Sequence, residues 1–438
     1  MKLRNLLFGT MIACAFVACS NDDDPTPNPT PEGKGVGTLI AGIDSKSLTK
    51  AVTNSEEIKT LTVALYNTST GVFVQSATLA ANAPTEVDAP NDVKFAEVPA
   101  GIQYTIMAFA NMPDNFNPEQ TLSEVVATPI ALADDAYDNG GYPMSSNGSE
   151  KVTLTADMTT FYGYSQAEFD DATIQSKVLV AVDSPVKLYR NVAKVNLMNI
   201  TLNVPANEKY TSGNAKIEFD KAIILNAANQ SLVADVTVGS YAQNNWGNIQ
   251  SLSATPYNAG DWFKVNADGS TSLVDRINKP DFITAQNAAD YTTANYSKTL
   301  SSIRLSQDAL GTGVSAQSEV TTPLVSFYVF ENHKSQVKPT LLTLKGKYEF
   351  SAVGKGNETY KDVRDNAYYS LKVGMDGIAE GVLSDGVHRN VQYNISVTLK
   401  GNGALDPTGP DPDTTDGGLF VKTTIVEWGT VDQNVDIE

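Results

Sequence analysis

The sequence has 438 residues, enough for two domains at roughly 100–200 residues per domain. Its 50 acidic and 31 basic residues give a net charge of −19, which argues against a nucleic acid as partner because that charge repels the phosphate backbone. Hydrophobic residues make up 41% of the chain, so its composition is globular and not disordered.

Residues 1–18 have the layout of a secretory signal peptide. A basic start is followed by an apolar run from Leu6 to Val17 and by the small Ala18. This run is too short to span a membrane. The sequence Phe16-Val17-Ala18-Cys19 resembles a bacterial lipobox, which predicts removal of the signal and lipidation (palmitate) of Cys19. The alternative is an ordinary signal peptide whose removal leaves an unpaired thiol.

Residues 19–36 follow as a polar segment rich in Asp, Pro and Thr. Such a segment cannot bury apolar surface, so it predicts a disordered tether. Cys14 and Cys19 are the only cysteines in the sequence. The body after the tether therefore has to be stable without disulfide bonds.

The body consists of short runs rich in Val, Ile, Thr, Tyr and Phe, separated by clusters of Asn, Gly, Pro and Asp. This pattern predicts an all-β fold made of two β-sandwich domains, residues 37–184 and 185–400, divided at the polar Asp183–Pro185. We expect short helices near Ser165–Thr173 and within residues 281–307. The predicted strands lie at 36–43, 58–67, 104–109, 186–204, 215–226, 323–334, 340–353, 367–375 and 389–401.

Residues 401–438 form an unusual C-terminal region. A Pro/Asp/Thr/Gly linker (401–418), able to span roughly 50 Å when extended, precedes a strand-like tail (419–438). Apolar residues recur along the tail with the two-residue period of a strand. They are Phe420, Val421, Ile425, Val426, Trp428, Val431, Val435 and Ile437. From the pattern alone, the simplest interpretation is a strand that folds back onto its own sheet.

Several segments, taken in order, resemble the fimbrillins of Bacteroidales, the type V pilins, and within them the minor-fimbrium (Mfa-type) branch. In the first half they are "IKTLTVALYN", "YTIMAFAN" and "YPMSS". In the second half they are "RNVAK", "SFYVFEN", "VRDNAYY", "HRNVQYNISVTLKG" and "IVEWGTVDQNVDIE". Asp22–Asp24 similarly resemble the acidic export signal of surface lipoproteins in this group.

This resemblance implies a pair of transthyretin-like β-sandwiches, exported as an outer-membrane lipoprotein and then built into a cell-surface fimbrium. In the family, a protease removes the N-terminal segment with its first strand, and the C-terminal strand of a neighbouring copy fills the groove. The expected partners are other copies of the chain, anchor and tip fimbrial subunits, a trypsin-like or Arg/Lys-specific surface protease and, through Cys19, membrane lipid. The expected role is a structural shaft subunit that supports adhesion.

The strand expected to be displaced is Val36–Ile43, with Leu39, Ile40 and Ile43 as its apolar residues. The family cuts after an arginine in the following loop, but this chain has only lysines there. By position, Lys50-Ala51 is the candidate bond, with Lys46 as the alternative, and residues 37–50 would be removed together with the tether. The equally weighted alternative is that these lysines are solvent-exposed loop residues and not a cleavage site.

No catalytic residue or cofactor is predicted. The body has two histidines, His333 and His388, and no cysteine, which excludes a Cys/His nucleophile pair and argues against zinc. No acidic cluster has the spacing of a calcium loop, so no metal is expected. The alternative functions are a glycan-binding β-sandwich lipoprotein on the cell surface and a tip or accessory fimbrial subunit.

Overall fold

A computed structural model of the protein describes residues 35–41, 59–80, 93–131, 141–169, 175–225, 230–234, 263–265, 271–273, 297–301, 303–312, 315–316, 322–333, 339–378, 385–404 and 419–427. Nearly all of its regular structure is β-strand, which confirms the predicted fold class. The described part of the chain has two short helices, α1 (Leu122–Val126) and α2 (Gln166–Phe169).

Among the described residues, eleven strands precede Asn191. They are β1 (Val36–Ala41), β2 (Thr60–Asn67), β3 (Phe73–Ala80), β4 (Val93–Pro99), β5 (Gln103–Ala110), β6 (Pro129–Ala131), β7 (Met144–Ser145), β8 (Lys151–Thr153), β9 (Thr159–Tyr162), β10 (Lys177–Val180) and β11 (Tyr189–Arg190).

The remaining described strands follow Asn191. They are β12 (Val192–Leu202), β13 (Tyr210–Leu225), β14 (Gln230–Leu232), β15 (Phe263–Val265), β16 (Thr271–Leu273), β17 (Ser297–Thr299), β18 (Arg304–Gln307), β19 (Ser315–Ala316), β20 (Val325–Phe330), β21 (Asn332–His333), β22 (Leu341–Gly354), β23 (Thr359–Lys372), β24 (Gly386–Val387), β25 (Val391–Leu399) and β26 (Leu419–Glu427).

Most of the described strands form four large sheets. Sheet I has the order β10-β9-β1-β4, and sheet II has the order β11-β7-β5-β2-β3 with β8 also on β5. Sheet III has the order β19-β12-β25-β26 with β20 also on β12, and sheet IV has the order β17-β13-β22-β23 with β18 also on β13. Sheets I and II use residues before Asn191, whereas sheets III and IV use residues after it.

Two apolar cores pack the sheets in pairs, sheet I against sheet II and sheet III against sheet IV. Strand β2 places Leu61, Val63 and Leu65 on one face, and all three are buried with side chains of sheet I, as their alternation predicts. The second core joins alternate residues of β12 and β25 in sheet III to those of β13 and β22 in sheet IV. Each core thus lies between two sheets, as in a β-sandwich.

The strand predicted over Val186–Val204 is interrupted at Asn191. Val186 and Leu188 pack in the first core and Tyr189–Arg190 pair with β7, whereas β12 begins the second core at Val192. The chain therefore changes from one sandwich to the other at Asn191 in this structure. The boundary at 184/185 stays a prediction from the sequence.

Helices were expected near Ser165–Thr173 and within 281–307. Helix α2 fulfils the first expectation over Gln166–Phe169. The second expectation is wrong for Ser297–Thr299 and Arg304–Gln307, because both segments are strands that pair with β13. Pairing with an open sheet edge decides the conformation of such short segments. Residues 281–296 lie outside the described part of the chain.

Candidate functional site

Strand β1 occupies an interior position of sheet I, between β9 and β4. It runs parallel to β9, with Leu39 opposite Thr160, and antiparallel to β4, with Leu39 opposite Phe95. Both edges of β1 therefore take part in backbone pairing. Removing β1 would leave β4 and β9 with unpaired backbone groups facing each other across an empty slot.

The side chains of β1 fit this slot closely. Leu39 and Ala41 are 0% exposed, whereas Ile40, on the opposite face, is half-buried. Gly37 is required by close approach, because a Cβ there would lie 2.8 Å from the carbonyl oxygen of Thr155. Of the predicted strand residues, Leu39 is thus the apolar anchor, and Ile43 lies outside the described residues.

The floor of the slot is part of the first apolar core. Leu39 is buried in one cluster with side chains from β4, β5, β8 and β9, among them Val93, Phe95, Val98, Tyr104, Val152 and Tyr162. Loss of Leu39 would expose this surface to water. An apolar slot bounded by two unpaired strands is a site for β-augmentation by another strand.

One carboxyl group lies buried close to this floor. Glu150 is only 9% exposed, and its Oε2 atom makes no hydrogen bond. Burial raises the pKa of Glu150 above its ordinary value, although hydrogen bonds from Ser149 and the charge of Lys187 oppose the shift. Burial, assisted by the negative charge of Glu150, raises the pKa of Tyr162 to about 12. Tyr162 is the strand partner of Ala41 in β1.

The tail strand β26 pairs with β25 of the same chain. The pairing is antiparallel and continuous, from Leu399 with Leu419 to Val391 with Glu427. Strand β26 is thus an edge strand of its own sheet, which is the simpler of the two interpretations of the tail sequence. The backbone edge of β25, which β26 covers, would otherwise be open. The tail thus has a docking position on its own body.

The first residues of the predicted linker belong to the body. Tyr369 donates a hydrogen bond of 2.8 Å to the carbonyl oxygen of Gly401, and Arg364 donates one of 2.6 Å to that of Gly403. Ala404 and Tyr368 exchange backbone hydrogen bonds of 2.8 and 3.0 Å. These contacts hold residues 401–404 on β23, and residues 405–418 lie outside the described residues, so the linker predicted over 401–418 stays a prediction.

Several predicted site residues lie outside the described residues, and their roles stay predictions. They are Cys19, Ile43, Lys46, Lys50, Ala51, Trp428, Val431, Val435 and Ile437. The remaining tail residues, Phe420, Val421, Ile425 and Val426, lie within β26 and pair with Thr398, Val397, Tyr393 and Gln392.

The described histidines form no metal site. His388 is 4% exposed, and its Nε2 atom lies 2.5 Å from Oδ1 of Asp385. Within the described part of the chain, no three His, Cys, Asp or Glu side chains are grouped so that they could hold a metal ion. In the same residues, no helix is long and apolar enough to cross a membrane.

The dipeptide Arg-Asn lies at the start of the second half of the chain, at Arg190-Asn191, and again near its end, at Arg389-Asn390. Arg190-Asn191 and Arg389-Asn390 meet between the sandwiches, where Asn390 N donates to the carbonyl oxygen of Val192 (2.8 Å). Asn191 Nδ2 donates to the carbonyl oxygens of Leu232 and Val233 (3.0 and 2.9 Å). We call residues 230–234 the strap, because Val233 and Ala234 cover apolar residues of sheet II.

The family model of the major fimbrial subunit protein (FimA) matches residues 40–190. No curated protein matches the sequence. A solved structure from Parabacteroides distasonis ATCC 8503, described as a candidate cell adhesion protein, has a TM-score of 0.59 and 23% identity, covering 90% of this chain and 100% of its own. A fimbrilin (FimA) from Porphyromonas gingivalis W83 has a TM-score of 0.52 and 19% identity, covering 91% of this chain and 99% of its own.

At these identities the solved structures establish similarity of fold. Together with the family model, they agree with the resemblance to fimbrillins that the sequence segments indicated. The matched family model is that of the major fimbrial subunit. The finer assignment to the minor-fimbrium branch stays a prediction.

Proposed function

Because the family model of the major fimbrial subunit matches residues 40–190, we propose that this chain is a fimbrillin, a structural subunit of a cell-surface fimbrium, and that it is a shaft subunit that polymerises by donor-strand exchange. The observation that carries the proposal is the interior position of β1 in sheet I. A strand with two paired edges and a buried anchor, Leu39, leaves a complete binding slot when it departs.

Proteolysis between β1 and β2 would make β1 removable. These strands belong to different sheets, and residues 42–58 connect them. A cut at Lys50-Ala51, or after Lys46, leaves β1 attached to the body only by noncovalent contacts. The six residues of β1 then compete with any longer strand that fits the slot.

The proposed competitor is the tail of a neighbouring copy. Strand β26 has nine residues against six in β1, so it is long enough to pair with β4 and β9 along the whole slot. Residues 405–418 can extend over roughly 43 Å in a polyproline-like conformation, which is enough to reach a second molecule. The tail has to leave β25 of its own chain. Its backbone then pairs with β4 and β9 of the neighbour instead of with β25.

This contact would join different surfaces of two copies, the slot of one and the tail of the next. Such a heterologous contact produces an open filament unless its rotation closes a ring. A subunit with both a slot and a tail can occupy any position within a filament, which favours a shaft subunit over a tip. Anchor and tip subunits, and the adhesion that the assembled fimbrium supports, follow from the family.

The proposed route to the cell surface begins with the signal peptide. Lipidation at Cys19 would hold the precursor at the outer membrane through the polar tether until the protease acts. The protease has to accept lysine, so a trypsin-like or Arg/Lys-specific surface enzyme is the expected partner. The subunit itself is expected to be non-catalytic and to need no cofactor.

The experiment is limited trypsin treatment of recombinant protein without its signal peptide. Mass spectrometry locates the new N-terminus, and native gels with negative-stain microscopy detect assembly. We expect cleavage near Lys50, followed by ladders or filaments. A truncation that ends at Gly418 serves as the matched control, since it keeps the slot and loses the donor; it should be cut but stay monomeric.

Two further variants sharpen the result. Lys50→Gln tests the cleavage site, and Lys46→Gln is its matched control in the same loop. If the cut protein remains monomeric while its tail stays protected, the tail is an internal strand, and donor-strand exchange is wrong. A glycan-binding surface lipoprotein would then be the leading alternative.

A further inference from the structure

A row of hydrogen-bonded polar side chains crosses sheet III toward the tail strand. Ser326 on β20 donates to Oδ1 of Asn196 on β12 (2.7 Å), and Nδ2 of Asn196 donates to Oδ1 of Asn394 on β25 (2.8 Å). We call Ser326, Asn196 and Asn394 the polar ladder. It alternates with the core residues Val195, Leu197, Tyr393 and Ile395, so it lies on the face opposite the second core.

The ladder has a direction. At each step the donor group is on the side nearer β20 and the acceptor on the side nearer β26. Asn196 is 2% exposed, so both ends of its amide have to be satisfied within the protein, and they are. Oδ1 of Asn394 also accepts a bond of 3.0 Å from Gln392 Nε2. With its oxygen bonded to β12 and Gln392, Asn394 has its NH2 group available to the next strand.

The next strand at this level is β26. The register pairs Ser326 with Asn196, Asn196 with Asn394, and Asn394 with Thr424. The tail positions that alternate in phase with 424 are Phe420, Lys422 and Val426. Of these four residue types, only threonine has an acceptor oxygen in its side chain.

We propose that Asn394 determines the register of the tail strand, by offering its amide NH2 to a hydrogen-bond acceptor at position 424. The apolar pattern alone cannot fix this register. A slip of one residue moves every side chain to the other face and is excluded, but a slip of two residues preserves the faces. Such a slip sets Lys422 or Val426 opposite Asn394, and neither residue can accept from its amide.

This inference goes beyond the proposed function and does not depend on it. The register on β25 is a property of the uncut, monomeric chain. Under donor-strand exchange the tail pairs with β4 and β9 of a neighbour, so the ladder sets the register only while the tail lies on β25 of its own chain. The register of β26 on β25 determines how many tail residues extend beyond the sheet.

The test uses disulfide trapping. The chain without its signal and Cys19 contains no cysteine, so introduced pairs are the only thiols. The pair Ser396→Cys with Lys422→Cys reports the observed register, in which these residues are opposite each other. The pairs Thr398→Cys with Lys422→Cys and Ser396→Cys with Phe420→Cys report slips by two residues in the two directions. Directly opposite residues are within the Cα distance of a disulfide, whereas diagonal residues lie about 7–8 Å apart.

In the parent protein we expect the in-register disulfide to dominate. Asn394→Leu should raise the ratio of slipped to in-register product about fivefold, the factor that one neutral hydrogen bond typically contributes. Thr424→Val, a change in the tail that leaves the body intact, should have the same effect. The double variant should show no further increase, because both changes remove one interaction.

The matched control is Thr398→Val in the two reporters that use Ser396→Cys. Thr398 lies on the same face of β25, but its partner Phe420 offers no acceptor, so the ratio should not change. An unchanged ratio in Asn394→Leu and Thr424→Val would overturn the proposal. So would slipped products that equal the in-register product in the parent. Polymerisation is measured separately and on cut protein, so failure of donor-strand exchange would leave this result unaffected.

Discussion

The guanidinium group of Arg389 donates a hydrogen bond of 2.9 Å to the hydroxyl of Ser231, which lies 158 residues earlier in the chain. It also donates to the carbonyl oxygen of Leu232 (3.0 Å) and forms an ion pair with Glu331. Ser231 in turn donates to Glu331 (2.7 Å). A buried charge pair of the second sandwich thereby holds the strap against the first sandwich.

Arg389→Met should therefore destabilise the protein by about 3–5 kcal/mol, because it leaves the carboxylate of Glu331 buried without its counter-charge. Arg389 and Glu331 are 1% and 0% exposed. Chemical denaturation monitored by circular dichroism measures the free energy of unfolding. The double variant Arg389→Met with Glu331→Met should recover much of the loss, since no unpaired charge remains. An equal loss in both variants would contradict the explanation.

Leu39→Ala should weaken the hold of β1 on its slot by about 2–5 kcal/mol, the usual cost of truncating a buried leucine. In uncut protein this appears as a lower free energy of unfolding. In cut protein it should appear as faster release of β1, followed by mass spectrometry of the dissociated fragment. Ile40→Ala is the matched control on the same strand: Ile40 is half-buried on the other face, so we expect a smaller effect. Equal effects would mean that Leu39 is not the anchor.

Glu150 should make the protein less stable as the pH rises. Burial raises its folded-state pKa above the ordinary 4.5, so the folded state binds its proton more tightly than the unfolded state. Its contribution to stability is therefore complete below pH 4.5 and is lost as the pH rises through the raised folded-state pKa.

Glu150→Gln should remove this dependence and raise the free energy of unfolding at pH 7. Denaturation curves at several pH values from 4 to 8 would measure it, with the exposed Glu97→Gln as control. A Glu150→Gln protein that is less stable than the parent at pH 7 would show that the carboxylate is favourably paired in the folded state.

Arg364 should control how firmly the linker is attached to β23. Its side chain donates to the carbonyl oxygen of Gly403, next to the residue pair Tyr368 and Ala404. We expect Arg364→Met to speed hydrogen exchange at the backbone amides of Ala404 and Tyr368, because both amides then open more often. Arg304→Met is a suitable control, since the side chain of Arg304 is 71% exposed in its ion pair with Glu218. If hydrogen exchange at these amides is unchanged in Arg364→Met, the backbone hydrogen bonds between Tyr368 and Ala404 alone hold the linker on β23.

Strands with a clear apolar period could be located from sequence. Leu61, Val63 and Leu65 of β2, and Tyr104 to Phe109 within β5, lie in strands as the pattern predicts. Leu61, Val63 and Leu65 bury one face of β2 in the first core, so their alternation records the geometry of the sheet. Tyr104 to Phe109 are buried on both faces of β5, so this strand appears in the sequence as a continuous apolar run and not as an alternation.

Other features depended on distant partners and could not be located. Residues 186–204 have the sequence pattern of one long strand, but the strand is interrupted at Asn191. The side chain of Asn191 donates hydrogen bonds to the strap, which lies about forty residues later in the chain. Gly401 to Ala404 have the composition of a linker, yet they are held on β23 by residues that precede them by some thirty to forty positions in the sequence. Local composition carries no information about such contacts.

The sequence by itself determined the all-β class and the family resemblance. Both are encoded locally, in the two-residue period of apolar residues and in the order of short motifs. Only the tertiary structure decided that β1 is enclosed by β4 and β9, that β26 pairs with β25, and that Asn196 and Asn394 form a ladder leading to position 424. Strand order and register arise from pairing between residues far apart in the chain, and the free energy of that pairing is set by the assembled sheet.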